Sequence, residues 1–321
     1  MKNQQPPSQS RLMEAVFSSD RQEKYARHLD FLNNPDPKIW ERIDFPLEVS
    51  LELTNYCNLR CVMCPNPSMK RKRGYMSENL FGTIVNGLSV ESGFLFLPQG
   101  FGEPLLHRRL FHLSAFASES GIKPIVLLSN GMLLDEAILA HVMNSIDILI
   151  VTIDGVTART YESVRVGGNL KTVVGNIERF LRVRDHNKPP YLVLRIIHMK
   201  ETEGEIEAFQ NFWQDRISET DIIQVSGFND WTGTINAGQN RIDMREQRGP
   251  CRMLWKNLTV YHDGRVTPCC YDAEGELSIG NAGEERLRNI WEGPRLKQLR
   301  NLHLAHQFEK IPICQRCNTW L

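Results

Sequence analysis

The sequence predicts an α/β protein, in which a partial (β/α)6 barrel of the TIM type precedes a small unit built from a β-hairpin and helices. Two observations predict the barrel: six short apolar segments recur about 25 to 45 residues apart, and amphipathic segments lie between them. A third observation, Asp263-Gly264 between two alternating segments, predicts a β-hairpin near the C-terminus. We therefore expect six parallel strands with helices outside, followed by a smaller domain.

The predicted strands are nearly continuous apolar runs, which is typical of parallel strands buried on both faces. They cover residues 48–54, 94–97, 125–128, 148–153, 191–197 and 222–225. One intervening helix carries a single apolar face made of Val173, Val174, Ile177, Phe180 and Leu181. Because such barrels place their active sites at the C-terminal ends of the strands, the residues that follow each strand are the functional candidates.

Changes in composition divide the chain into three predicted parts. Residues 1–45 form a helical extension broken at Pro35-Asp36-Pro37, residues 46–230 form the core, and residues 231–321 form the C-terminal domain. The extension is too short for a leader-peptide recognition domain, which would need strands of its own. The polar, Gly- and Asn-rich stretch 227–250, which contains Trp231, is interpreted as a linker or a substrate loop.

Charge and composition exclude several classes of partner. The formal net charge is zero, so the chain lacks the basic excess that is typical of nucleic-acid binding. Its apolar runs are too short for a membrane span, and the N-terminus lacks a signal-peptide core. Eight cysteines without a secretory signal favour a cytoplasmic location, where thiols serve metal binding or catalysis.

Three cysteines, Cys57, Cys61 and Cys64, follow the first predicted strand at CxxxCxxC spacing. Soft thiolates so close together indicate an iron–sulfur cluster or zinc. A structural zinc site takes four ligands, whereas this local set has three and leaves one metal position open. A degenerate zinc loop, or buried thiols without a metal, are the alternatives.

The second and third predicted strands also end in distinctive residues. Gly100-Phe101-Gly102-Glu103-Pro104 follows the second strand, and small residues there would let the backbone approach a ligand closely. Ser129-Asn130-Gly131 ends the third strand, and could equally be an ordinary Asn-Gly turn with a capping Ser.

Two charged residues, Asp154 and Arg165, follow the fourth predicted strand, and a third, Arg195, lies within the fifth. Asp154 would face the mouth of the barrel, and Arg165 could pair with a carboxylate; a helix N-cap and a surface ion pair are the alternatives. Arg195 interrupts an apolar strand, so it either faces solvent or needs an anionic partner inside the barrel.

A basic run, Lys70-Arg71-Lys72-Arg73, follows the cysteine loop. Such runs usually form a solvated surface. A docking patch for an acidic electron-transfer protein is the alternative.

Together these motifs resemble the radical S-adenosylmethionine (SAM) superfamily, in which three cysteines hold a [4Fe–4S] cluster whose fourth iron chelates SAM. The resemblance implies that Cys57, Cys61 and Cys64 hold this cluster. Phe101 departs from the GGEP motif of the family, which has glycine at that position. The residues that the resemblance places around SAM are Met63, Gly102, Glu103, Pro104, Ser129, Asn130, Asp154 and Arg165. Arg195 is added as a SAM-binding candidate because the carboxylate of SAM, or that of the substrate, would serve as its anionic partner.

The C-terminal part resembles the SPASM and twitch auxiliary-cluster domains, including their Gly-x4-Cys motif from Gly264 to Cys269. The resemblance implies a second, fully protein-ligated [4Fe–4S] cluster, with one auxiliary cluster as in twitch enzymes of the 2-deoxy-scyllo-inosamine dehydrogenase type. A four-cysteine zinc site is the alternative. The implied ligands are Cys251, Cys269, Cys314 and Cys317.

Cys270 is left over from the two sets of thiols. It could replace Cys269 as a ligand, donate a hydrogen atom to a substrate radical as a catalytic residue, or be inert.

The resemblance implies a reaction in which flavodoxin or ferredoxin delivers an electron and SAM yields a 5′-deoxyadenosyl radical. That radical would abstract hydrogen from a polar small molecule, such as a sugar, cyclitol or aminoglycoside-like compound. Dehydrogenation or epimerisation at a hydroxyl-bearing carbon, in a biosynthetic pathway, would follow. A maturase that crosslinks or epimerises a ribosomally made peptide is the alternative, and a non-catalytic electron carrier is the third hypothesis.

Overall fold

The computed structural model of the chain describes residue 12 and residues 14–34, 36–235 and 248–317. Parts of the predicted extension, of the stretch 227–250 and of the C-terminus therefore lie outside the described residues. The helices are α1 (Ser19–Asn33), α2 (Glu78–Leu88), α3 (Leu110–Glu119), α4 (Glu136–Ser145), α5 (Ala158–Val164), α6 (Leu170–Val183), α7 (Ile206–Gln214), α8 (Leu287–Trp291), α9 (Pro294–Leu304) and α10 (Pro312–Arg316). The strands are β1 (Glu48–Leu51), β2 (Leu95–Leu97), β3 (Val126–Ser129), β4 (Ile148–Thr152), β5 (Tyr191–His198), β6 (Ile222–Gly227), β7 (Asn257–Val260), β8 (Arg265–Thr267) and β9 (Gly280–Asn281).

The strands form a five-stranded and a four-stranded sheet, and the pairings among the first six strands in sequence are all parallel. Strands β3, β4, β5 and β6 pair in that order, and β1 pairs with β2. A single bridge between Phe96 and Ile125 joins the two groups. Helices separate successive strands in the sequence. The predicted partial (β/α)6 barrel is confirmed, with every predicted strand present.

The C-terminal hairpin continues the barrel sheet. Strand β7 pairs in parallel with β1, placing Val49 opposite Leu258, and β8 returns antiparallel to β7. Leu258 and Val260 are both fully buried, so the hairpin shares the core of the barrel. The predicted hairpin is confirmed, and its attachment to β1 is a finding that the sequence pattern did not contain.

Alternation along the strands separates an outer core from the lumen of the barrel. The lumen-facing residues Val126, Ile148, Val193 and Ile222 pack around Leu12 from the N-terminal extension. These residues lie at the N-terminal ends of their strands, so Leu12 closes the lower end of the lumen. Among the described residues, no helix has the length and apolar character needed to cross a membrane.

The N-terminal extension breaks where the prolines predict. Helix α1 ends at Asn33, and a 3-10 helix over Pro37–Arg42 begins after Asp36, whose side chain accepts a hydrogen bond from the Lys38 amide. Trp40 of this turn packs edge-on against Trp255, with ring centroids 5.2 Å apart. The extension is therefore anchored to the C-terminal part of the chain.

Candidate active site

The three thiols of the CxxxCxxC loop lie together just after β1. They pack in one apolar cluster with Leu59, Met63, Val164 and Met199. The loop is held in place because the amide of Val62 donates to the carbonyl of Val164, at 3.0 Å. Burial raises the pKa of Cys57 to about 11 and that of Cys64 to about 12. A bound cation would stabilise these buried thiols as thiolates.

Arg165 places a positive charge beside this loop. Its Nη1 lies 3.6 Å from the Cys61 sulfur, while its Nε donates to Asp154 Oδ2 at 2.7 Å. The other Asp154 oxygen accepts from the Ile197 amide, also at 2.7 Å. The pair is buried, and Thr157 caps α5, so the alternatives of a surface ion pair and an Asp154 N-cap are wrong. Asp154 therefore fixes the orientation of the Arg165 side chain toward Cys61.

Glu103 connects the ends of β2 and β3. Its carboxylate accepts hydrogen bonds from Ser129 Oγ and from the Asn130 amide, each at 2.9 Å. Burial raises the pKa of Glu103 to about 7, although these hydrogen bonds and one from the Leu105 amide act in the opposite direction. The motifs at residues 100–104 and 129–131 therefore form one hydrogen-bonded unit around the buried carboxyl group of Glu103.

Asn130 extends this unit to the cysteine loop. Its side-chain amide donates to Asn58 Oδ1 at 2.8 Å, between Cys57 and Cys61 in sequence. Its own oxygen accepts from the Met132 amide at 3.0 Å, as in an Asn-Gly turn, and Gly131 has φ +77°. The turn interpretation is thus confirmed, and the same side chain also orients the loop of the triad.

Gly102, in the motif at residues 100–104, packs closely against the backbone of residues 54–56. A Cβ atom at Gly102 would lie 2.4 Å from the Thr54 carbonyl oxygen and 2.5 Å from that of Tyr56. Pro104 begins a 3-10 turn over Pro104–Leu106. The motif is therefore held directly against the chain that enters the cysteine loop.

Trp231 links both halves of the chain and was not singled out as a site residue by the sequence. Its Nε1 donates to the Met63 carbonyl at 2.7 Å. Its ring packs edge-on against Phe101 and Tyr271, with centroids 5.6 Å apart in each case. The only sequence signal for this role was a single tryptophan in a polar loop. Phe101, at the departure from the family motif, therefore has a packing role toward the C-terminal part.

A cavity lies beside the barrel, and four cysteines from separate segments line it. Apolar side chains, among them Met253, Leu254 and Ile313, complete its wall. Burial raises the pKa of Cys314 to about 12 and holds that of Cys269 well above its usual range. The four thiols are those that the sequence analysis grouped: Cys251, Cys269, Cys314 and Cys317.

His303 lies in the same wall and was missed by sequence reasoning. It is 1% exposed, its Nδ1 lies 3.1 Å from the Cys251 amide nitrogen, and its Nε2 lies 3.5 Å from the Cys314 sulfur. Burial, with a smaller contribution from Arg248, lowers the pKa of His303 to about 4. A histidine near the end of a helix gives no sequence signal for this position.

Cys270 directly follows Cys269 and lies within electrostatic range of Cys269 and Cys251. It does not line their cavity, whereas Cys269 does, so the structure favours Cys269 over Cys270 as a ligand. Burial raises the pKa of Cys270, and the nearby Glu48 raises it further. Glu48 pairs with Lys256 at 2.8 Å and faces the lumen. Cys270 therefore lies near the boundary between the lumen and the C-terminal cavity.

The lumen of the barrel contains a second cavity with mostly aliphatic walls and a few polar groups, among them Arg195, Gln224 and Gln99. Arg195 donates from Nε to Gln224 Oε1 at 2.8 Å, and burial lowers its pKa. Arg195 is half-buried and lines the lumen cavity, so it faces the inside of the barrel. Ile197, on the same face of β5, packs beside the triad, so Arg195 lies about 7 Å deeper in the barrel.

The basic run is not the solvated surface that the sequence predicts. Arg71 is 7% exposed and pairs with fully buried Glu52, and Arg73 donates to the Asn55 and Asn66 carbonyls. Only Lys70 and Lys72 of the run are exposed. The expectation of a solvated surface was wrong for Arg71 and Arg73, because acceptors from other segments surround both side chains. A docking patch for an electron-transfer protein would therefore contain only Lys70 and Lys72 from this run.

The donor sets fit the metal groups that the sequence implies. Cys57, Cys61 and Cys64 supply three soft donors in an apolar setting, and the C-terminal cavity supplies four. Among the described residues, no three His, Cys, Asp or Glu side chains converge as the ligands of one metal ion would. The seven cysteines of these two donor sets are the residues that could hold iron–sulfur clusters, whose ligand sulfurs lie farther apart than those of a single ion.

Two family models match the chain. The model of the radical SAM superfamily matches residues 51–212, which is half of the chain. The SPASM model, described as an iron–sulfur cluster-binding domain, matches residues 251–318.

Curated relatives match shorter stretches. A probable GTP 3′,8-cyclase of Methanococcus maripaludis is 31% identical over 134 residues, which are 41% of this chain and 45% of the relative. The mycofactocin maturase MftC of Mycobacterium ulcerans is 29% identical over 138 residues, which are 42% of this chain and 37% of the relative. The chain thus matches less than half the length of these relatives.

Solved structures share the fold over most of the chain. BtrN in complex with AdoMet and 2-DOIA has a TM-score of 0.60 at 19% identity, covering 86% of this chain and 94% of BtrN. Streptococcus suis SuiB bound to its precursor peptide SuiA has a TM-score of 0.69 at 14% identity, covering 94% of this chain and 76% of SuiB. The chain belongs to the radical SAM superfamily and carries a C-terminal SPASM iron–sulfur cluster-binding domain.

Proposed function

We propose that this radical SAM enzyme dehydrogenates or epimerises a polar small molecule at a hydroxyl-bearing carbon. The supporting observation is the lumen cavity below the triad, in which Arg195, Gln224 and Gln99 project from mostly aliphatic walls. Such a combination of apolar surface and few polar groups is typical of small-molecule sites. Sugars, cyclitols and aminoglycoside-like compounds, as components of a biosynthetic pathway, match this chemistry.

SAM and iron–sulfur clusters are the cofactors that the two matched domains imply. When bound, they supply a 5′-deoxyadenosyl radical that takes a hydrogen atom from a substrate C–H bond, after an electron arrives from flavodoxin or ferredoxin. The triad of cysteines would hold the first cluster. The SAM contacts would come from the motifs around Glu103, Asn130 and Arg165.

The chain's own residues would orient the reactants and keep water away. Glu103 and Asn130 fix the loop of the triad from the ends of β2 and β3, and Asp154 holds Arg165 beside Cys61. Arg195 and Gln224 would position hydroxyl or anionic groups of the substrate in the lumen. Aliphatic walls would exclude water, which limits unproductive quenching of a radical.

The test is anaerobic incubation of the reconstituted, reduced protein with SAM and a panel of cyclitols and amino sugars. We expect 5′-deoxyadenosine together with either a carbonyl product or substrate that has gained deuterium from heavy water. A carbonyl product indicates dehydrogenation, and solvent deuterium indicates epimerisation. Formation of 5′-deoxyadenosine without conversion of any member of the panel would argue against this substrate class.

A peptide maturase is the second candidate, favoured by the sequence match to MftC. By its name, GTP 3′,8-cyclase acts on a small polar molecule, so its match favours the first candidate. Incubation with Cys-containing peptides encoded beside the gene separates the two. A crosslinked or epimerised peptide would support the maturase and contradict the small-molecule proposal.

A further inference from the structure

His303 occupies an unusual position between two of the proposed ligands of the auxiliary cluster. It lies near the end of α9 and faces the cavity that Cys251 and Cys314 also line. Each ring nitrogen has one partner: Nδ1 faces the backbone amide of Cys251 at 3.1 Å, and Nε2 faces the Cys314 sulfur at 3.5 Å. The side chain is 1% exposed, so both contacts are shielded from water.

The first contact determines the tautomer of the ring. The Cys251 amide can only donate, so Nδ1 must accept and therefore carries no proton. A neutral imidazole has one donor and one acceptor nitrogen, so the proton resides on Nε2. Nε2 cannot then bind a metal through a lone pair, and its N–H points at the sulfur of Cys314.

We propose that His303 is a positioning residue of the auxiliary cluster, whose Nε2–H donates a hydrogen bond to the Cys314 thiolate and raises the reduction potential of the cluster. Reduction adds negative charge that is shared with the ligand sulfurs. A hydrogen-bond donor at a sulfur stabilises that charge, which favours the reduced state. The proposal depends on Cys251 and Cys314 being cluster ligands and is independent of the substrate.

The surroundings hold the ring in this orientation. Phe308 packs edge-on against His303 with centroids 5.0 Å apart, and Arg248 stacks over the same phenyl ring at 4.2 Å. Arg248 also donates to the Cys314 carbonyl at 2.7 Å. Arg248 would repel a positively charged imidazole, so the neutral ring suits this site.

Two substitutions separate the two nitrogens. In His303→Asn, the side-chain oxygen replaces Nδ1 as acceptor for the Cys251 amide, but the donor to Cys314 is lost. In His303→Gln, the longer side chain restores an N–H donor near the position of Nε2. His306→Asn is the matched control, because His306 packs on Phe308 from an exposed position.

The measurement is an anaerobic redox titration followed by EPR, on the full chain with Cys57, Cys61 and Cys64 replaced by Ala so that only the auxiliary cluster contributes. We expect His303→Asn to disfavour reduction about tenfold, a shift of about 59 mV to more negative potential for one electron. His303→Gln and His306→Asn should stay within about twofold of the parent protein. Each variant should retain the parent's iron content.

Several outcomes would overturn the proposal. They are an unchanged potential in His303→Asn, an equal shift in His303→Gln, or a loss of iron that identifies His303 as a ligand. Electron–nuclear double resonance on the parent protein tests the same contact without any substitution at His303. An exchangeable proton coupled to the reduced cluster, together with only weak coupling to labelled imidazole nitrogen, is expected; strong nitrogen coupling would mean direct ligation.

Discussion

Arg71 and Glu52 form a buried, two-point ion pair that joins the loop after the cysteine triad to β1. Arg71 Nη1 lies 2.8 Å from Glu52 Oε1, and Nη2 lies 2.7 Å from Oε2. Arg71 also stacks on Tyr261 of the C-terminal hairpin at 4.1 Å, and Glu52 accepts from the Phe101 amide at 3.2 Å. The pair therefore connects the triad, the second motif and the SPASM part of the chain.

Removal of one member of this pair should strongly destabilise the protein. We expect Arg71→Met to lower the free energy of unfolding by about 3 to 5 kcal/mol, because buried Glu52 would lose its guanidinium partner and keep only His262 and the Phe101 amide. Urea unfolding of the anaerobically reconstituted protein measures the effect. Lys72→Met, at an exposed neighbouring position, should change it by less than about 0.5 kcal/mol. Equal effects of the two substitutions would contradict the buried pair.

The buried Glu103 predicts a specific dependence of stability on pH. Its pKa is raised from its usual 4.5 to about 7, so the folded protein binds more protons than the unfolded chain between these values. The contribution of Glu103 to stability is therefore most favourable below pH 4.5 and declines as pH rises to about 7, by about 1.4 kcal/mol per unit of pKa difference.

Comparison with Glu103→Gln isolates this contribution. Without SAM, the free energy of unfolding of the natural protein relative to the variant should fall as pH rises from 5 to 8. Glu119→Gln, at an exposed position, should show no such trend. A relative stability that increases with pH would mean that the buried carboxylate is favoured over the acid.

The seven cysteines predict how iron divides between two sites. Replacement of Cys57, Cys61 and Cys64 by Ala should remove about half of the iron and abolish 5′-deoxyadenosine formation. Replacement of Cys314 and Cys317 by Ala should also remove about half of the iron, from the other site. Iron analysis and Mössbauer spectroscopy measure both. Retention of all iron in the first variant would contradict the proposed triad.

Arg195 should act on the substrate rather than on SAM, because it lies about one side-chain layer below the triad. We expect Arg195→Met to bind SAM within about twofold of the natural protein, but to reduce substrate conversion at least tenfold, or about 1.4 kcal/mol. Arg165→Met, beside Cys61, should instead impair 5′-deoxyadenosine formation itself. Weakened SAM binding in Arg195→Met, measured by calorimetry, would assign Arg195 to SAM.

The Cys270→Ala variant distinguishes epimerisation from dehydrogenation. If the enzyme epimerises its substrate, the Cys270 thiol near the lumen would donate the final hydrogen atom, and Cys270→Ala should stop turnover to the epimer. If it dehydrogenates, the same variant should retain activity within about twofold. Mass spectrometry of the products separates these results, and iron content should be unchanged in either case. Loss of iron would show that Cys270 is a cluster ligand.

The sequence by itself determined the elements whose signals are local. Hydrophobic periodicity predicted all six barrel strands, and Asp263-Gly264 predicted the hairpin, because these patterns depend on neighbours in the chain. The spacing of Cys57, Cys61 and Cys64 likewise indicated the metal chemistry and the family, since ligands of one cluster lie on one short loop.

Only the tertiary structure decided which distant residues meet. Pairing of β7 with β1, the inward orientation of Arg71, and the contacts of Trp231 with Met63 and of His303 with Cys314 join segments that fold onto one another. The physical reason is that burial of a polar group depends on a partner supplied from elsewhere in the fold. A run of basic residues or a single histidine carries no local trace of that partner.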